Sequence, residues 1–148
     1  MCKSCRSFAI SISKNVFLVL FIVSSVSCFS YGQNTFADSL AKRIILQKDD
    51  TVKLGLMIER SQQLVIAGEY QKALDGCSEA MILSEELLSS ATSAGLALSL
   101  KRSKASICNI TGGIYRNQGN NDKALEYYGK SLAIFNGMGD QKGVASSY

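Results

Sequence analysis

The chain has 148 residues, 47% of them hydrophobic and 19% charged, which suits one globular domain and is too apolar for a disordered one. It contains no histidine, and this excludes Ser-His-Asp and Cys-His relays, histidine metal ligands and histidine proton switches. Proline is absent too, as uninterrupted helices prefer.

Lys3, Arg6 and Lys14 give a basic start, and no acidic residue precedes Asp38. An apolar run over 16–26 (VFLVLFIVSSV) follows, then small and polar residues. That order predicts a secretory signal over residues 1–32, with Ser30 and Gly32 as the small side chains before the cut and Gln33 as the new N-terminus. The chain is then exported, periplasmic or secreted. Two alternatives stay open: lipidation of Cys28, or retention of residues 15–31 as a membrane anchor. The apolar part of that segment is shorter than the ~20 residues a span needs, and Ser24, Ser25 and Ser27 weaken it.

Removing the signal removes the basicity. The net charge of +4 includes Lys3, Arg6 and Lys14, and 13 basic residues then face 12 acidic ones. No nucleic-acid partner is expected from such a balance. Cys2, Cys5 and Cys28 leave with the signal, and Cys2-Lys3-Ser4-Cys5 lacks the second ligand pair that zinc requires. Cys77 and Cys108 remain. They are either two small buried hydrophobes or a disulfide, whose loop of about 30 residues would be worth roughly 3–4 kcal/mol.

Residues 33–50 read as an N-terminal helix and linker, in which Phe36, Leu40, Ile44 and Ile45 face the first unit downstream. Asp49-Asp50 fits an N-cap ahead of Thr51. From there an internal repeat emerges. Gly68-Glu69-Tyr70-Gln71-Lys72-Ala73-Leu74 is matched by Gly119-Asn120-Asn121-Asp122-Lys123-Ala124-Leu125, each copy joining two helix-like segments. Leu54, Met57, Ile58, Ser61, Leu64 and Val65 form one stripe before the first copy, and Cys108, Thr111, Gly112 and Tyr115 one before the second. After the turns come Ala73, Leu74, Cys77, Ala80, Met81 and Leu88, and then Ala124, Leu125, Tyr128, Ser131, Leu132 and Phe135. Each unit is a helix, a tight glycine turn and an antiparallel helix.

This pattern resembles the tetratricopeptide repeat family. That family favours a small residue midway along its first helix and a bulky one three residues on. Its second helix has an early alanine, then a bulky residue four further and a small one seven further. Gly112, Tyr115, Ala124, Tyr128 and Ser131 match throughout; Ser61, Leu64, Ala73, Cys77 and Ala80 match except at Cys77. Met57 and Cys108 stand where the family often has tryptophan, and Glu85 and Asn136 where it often has proline. The resemblance implies an all-α solenoid over 51–148, with units near 54–90 and 105–138 and a third opening at 145–148. Ala73 and Ala124 lie 51 residues apart, against a family period of about 34. The excess is assigned to a second helix running past Leu88 and a next helix beginning near Ser93. Gly-Met-Gly-Asp (137–140) reads as a turn and 141–148 as the start of another helix. With no C-terminal cap in sight, the chain reads as the front of a longer protein or a truncated one, and self-association would cover its open end.

The implied function is recognition of a protein or peptide in a helix-lined concave groove, without catalysis, cofactor or metal. In the family that groove is lined from the first helix of each unit, here Gly55, Ile58, Gln62, Val65 and Ile66, then Ser106, Asn109, Gly113, Arg116 and Asn117. Asn109, Arg116, Asn117 and Gln62 are the expected ligand contacts, with Arg116 offering a bidentate fork. Ile58 and Gln62 replace the polar clamp with which some members hold C-terminal carboxylates. The alternative reading is the extracytoplasmic sensory part of a histidine kinase or transcriptional regulator, whose membrane span and output domain lie outside this chain. Glu85-Glu86 and the cluster Lys101, Arg102 and Lys104 read as solvated surface, the latter as an exposed helix start. Thr111-Gly112-Gly113 follows no strand and is no phosphate loop.

N-terminal sequencing of chain recovered outside the producing cell is expected to start at Gln33. A lipid-modified Cys28 or an intact Met1 would select one of the two alternatives instead.

Overall fold

A computed structural model describes residues 36–147. The signal, its cleavage site, Cys2, Cys5, Cys28 and the anchor alternative lie outside the described residues. Within them the fold is all-α: α1 (residues 36–46), α2 (Asp50–Ile66), α3 (Tyr70–Ser89), α4 (Ala94–Asn117), α5 (Asn121–Met138) and α6 (Gln141–Ser146). Each helix from α2 onward packs on the next, and α2 also touches α4.

The helix starts follow local chemistry. The Asp49 carboxylate accepts from the Thr51 and Val52 N–H groups at 2.9 and 3.3 Å and from the Thr51 hydroxyl at 2.6 Å. Those bonds hold its pKa below the ordinary carboxylate value, the Thr51 hydroxyl acting most strongly. Ser93 caps α4, Asn120 caps α5 and Asp140 caps α6 through their side-chain oxygens.

The two turns are copies of one another. Gly68 and Gly119 sit at φ +78° and +77°, in the left-handed region where a Cβ is strained. The Gly68 N–H donates to the Val65 carbonyl and the Glu69 N–H to that of Leu64, at 3.0 and 2.8 Å. The Gly119 N–H donates to Arg116 and the Asn120 N–H to Tyr115, at 3.0 and 2.9 Å.

The principal core draws on α1 to α4: Ala37, Leu54, Leu64, Ala73, Cys77, Ala80, Leu100, Ile107 and Ile114. On its other side α4 meets α5. There the Ser131 hydroxyl donates to the Ala105 carbonyl at 2.9 Å, and a Cβ on Gly112 would come within 2.8 Å of the Tyr128 ring and 3.2 Å of the Ala124 carbonyl. Between α2 and α3 the close approach is Ser61 against Gly76, where an added Cβ would lie 2.8 Å from the Ser61 oxygen. Ser61, Ala73, Ala80, Gly112, Ala124 and Ser131 are all buried, as is Leu64. Tyr115 and Tyr128 are half-buried.

Several expectations need correction. Phe36 and Ile45 are not buried against the first unit as expected: they are 44% and 81% exposed, while Ala37 and Leu40 are the buried residues of α1. Leu125 is 70% exposed, because the short α6 lies on the far end of α5, where Phe135 packs against Gly143 and Ser147 reaches Ser131. Residues 137 and 138 continue α5, so the turn is only Gly139 and Asp140. The join lies where expected, since α3 ends at Ser89, just past Leu88, and Ser93 caps a helix that runs unbroken through residue 105. Lys101, Arg102 and Lys104 therefore lie inside a helix, and Arg102 and Lys104 are paired with Asp140 and Glu85 at 3.0 and 2.7 Å.

Two adjacent glycines separate packing from propensity. Gly112→Ala should lower stability by about 1–2 kcal/mol, as overpacking outweighs the helix-propensity gain. A Cβ on Gly113 would meet only the Tyr128 hydroxyl at 3.6 Å, an ordinary contact. Gly113→Ala should therefore raise stability by up to ~1 kcal/mol, and urea denaturation of both variants checks the pair.

Candidate functional site

The residues expected to bind a partner lie on α2 and α4, which are neighbours in space. On α2, Gly55, Ile58, Gln62, Val65 and Ile66 recur at helical spacing along one side. Gly55 and Gln62 are exposed, Ile58 and Val65 rest partly on the core, and Ile66 is 61% exposed. On α4, Ser106, Asn109 and Gly113 are half-buried, and Arg116 and Asn117 are exposed near the helix end.

These side chains differ in how free they are. The Ser106 hydroxyl is turned back onto the Arg102 carbonyl at 3.1 Å. Asn109 donates from Nδ2 to the Ser146 hydroxyl of α6 over a long 3.4 Å, and its buried Oδ1 has no partner among the described residues. One half of that amide is thus directed at α6 and the other is unsatisfied, an arrangement that carries a cost. Arg116 is exposed and forms no ion pair among the described residues. Arg102 has its charge met by Asp140, which also caps α6; the Gly143 N–H and Arg102 together hold the Asp140 carboxyl below the ordinary range, the former most strongly.

A second surface was not foreseen. Tyr115 of α4 stacks on Tyr127 of α5 with centroids 5.6 Å apart. Lys123 lies 4.9 Å from the Tyr115 ring and Lys130 4.5 Å from that of Tyr127. Lys130 also pairs with Glu126 at 2.6 Å, which lowers the Glu126 pKa and raises that of Lys130. The aromatic faces are thus already occupied by neighbouring side chains. The signal was present in the sequence: Tyr127 follows Lys123 by four residues and precedes Lys130 by three, which places both lysines beside it on one helix.

Among the described residues, no three His, Cys, Asp or Glu side chains gather as metal ligands would. A hollow of about 480 Å³ beside the α4–α5 turn is walled by Gln118, Gly119, Asn120, Asn121 and Asp122, all exposed. Nothing in it is both buried and unpaired. Among the described residues no helix is long and apolar enough to cross a membrane.

Cys77 and Cys108 are free and buried. Burial pushes the Cys77 thiol above its ordinary value of 9.0, with Thr111 and Ser61 pulling partly back. Burial does the same to Cys108 against the ammonium groups of Lys130 and Lys104. A raised folded-state pKa stabilises the fold while the thiol keeps its proton, and that contribution is lost as pH rises beyond 9.0 toward the raised value. With Cys2, Cys5 and Cys28 replaced by serine, both remaining thiols should resist a disulfide reagent at pH 8 and react fully once urea unfolds the chain. Resistance should weaken, and stability fall, as the pH rises above 9.0.

No family model matches the chain, and neither a curated protein nor a solved structure matches it.

Proposed function

We propose that the chain is an exported recognition module of the tetratricopeptide type. In this reading α2/α3 and α4/α5 are successive turns of an α-solenoid, and an extended peptide or protein segment lies across α2 and α4. The observation that supports it best is the duplication of the turns. Gly68 and Gly119 share a left-handed φ and the same pair of reversing hydrogen bonds, and each opens a helix with Lys-Ala-Leu. The contact of α2 with α4 adds a second support, since first helices of consecutive units lie side by side in such solenoids.

The chemistry available there is recognition. Ile58, Val65 and Ile66 offer apolar contact, Gln62 and Asn117 offer amides, and Arg116 offers an unpaired guanidinium for a carboxylate or a backbone carbonyl. Panning random decapeptides against the purified protein should enrich ligands with an extended apolar stretch and a carboxylate. Arg116→Ala and Ile66→Asp should each weaken the enriched peptides at least tenfold, as loss of a charged hydrogen bond or an apolar contact implies. Lys72→Ala, on α3, should leave affinity unchanged. Full affinity in both the Arg116 and Ile66 variants would sink the groove assignment.

A further inference from the structure

Away from the groove, a cavity of about 290 Å³ lies among α1, α2 and α3. Its walls include Ala41, Ile44 and Ile45 of α1, Met57 and Arg60 of α2, and Glu79 of α3. The volume equals about ten liquid waters, and it sits at the small end of ligand pockets. Four of these six walls are hydrocarbon or thioether. Arg60 is the one cation among the lining residues, and its Nε is buried with no acceptor among the described residues. Glu79 is exposed and forms no ion pair with it.

Arg60 is half-buried at the cavity wall, and the planar fork of a guanidinium matches the two oxygens of a carboxylate. Beside it, Ile45 stands 81% exposed, an aliphatic wall with nothing upon it. We propose that this cavity binds a small aliphatic carboxylate, its oxygens accepting from Arg60 and its hydrocarbon body lying against Met57, Ile44 and Ile45. Charge complementarity selects the head group, and the aliphatic walls and the volume select a short tail. A short fatty acid and an apolar amino acid share this chemistry, and Glu79 tells them apart, because it attracts the ammonium of the amino acid and repels an added carboxylate.

Titration calorimetry of the purified protein with hexanoate, L-leucine and 1-hexanol tests this. Saturable binding of a carboxylate is expected, and none of the alcohol; leucine binding more tightly than hexanoate identifies the amino acid, and the reverse identifies the fatty acid. Arg60→Gln should weaken the binding at least tenfold. Ala41→Phe, which puts a ring into the cavity from α1, should abolish it while circular dichroism reports the native helix content. Silence toward both carboxylates at millimolar concentration, equal binding of hexanol, or undiminished binding in Arg60→Gln would overturn the proposal.

Discussion

The fold depends on helices approaching so closely that side-chain volume must be shared across each pair. Between α4 and α5, Gly112 gives up its side chain entirely and Tyr128 fills the space. Between α2 and α3 the shares are redistributed: Ser61 restores a small side chain on the first helix, and Cys77 takes the place that Tyr128 holds in the second pair. A tyrosine opposite Ser61, or a serine in place of Gly112, would overfill its pair. Cys77 is thus the complement of Ser61, as Tyr128 is of Gly112.

Because each pair is closed in this way, α4 becomes a wall shared by both halves. Leu100, Ile107 and Ile114 join the core with α1, α2 and α3, while Ala105 and Gly112 meet α5. Off both interfaces lie Ser106, Asn109 and Gly113, half-buried, and Arg116 and Asn117, exposed. Part of that set is engaged by α6 through Asn109 and Ser146, and Arg102 beyond it is tied to Asp140. The open chemistry therefore concentrates at the end of α4 that carries Arg116 and Asn117. On α2, Arg60 and Met57 border the cavity beside α1, while Gln62 and Ile66 face away from it.

Much of the helical plan is legible in the sequence because turns and caps are local. Gly68, Gly119, Asp49 and Ser93 mark their boundaries by chemistry confined to a few residues. What was not legible is which side of a helix finds a neighbour. Phe36 and Ile45 are as apolar as Leu40, yet Leu40 is fully buried while they are 44% and 81% exposed. Leu125 occupies the place of Leu74 in the repeat, yet its burial would need a helix above it, and α6 lies at the other end of α5. On α4 the stripe through Cys108 and Gly112 is legible, but the second, through Ile107 and Ile114, is not, because a helix buried on two sides has no single apolar face. Arg60 gave no signal, since an arginine on an amphipathic helix ordinarily faces water.

The buried set is rich in alanine, glycine and serine, with Ala37, Ala73, Ala80, Ala105 and Ala124 beside Gly76, Gly112, Ser61, Ser84 and Ser131. These small side chains enclose less hydrocarbon than the buried Leu40, Leu54, Leu64, Leu100, Ile107, Ile114 and Phe135 beside them. The larger side chains therefore supply most of the apolar surface that unfolding hydrates, and with it most of the heat-capacity increment, while the small ones set how near the helices come.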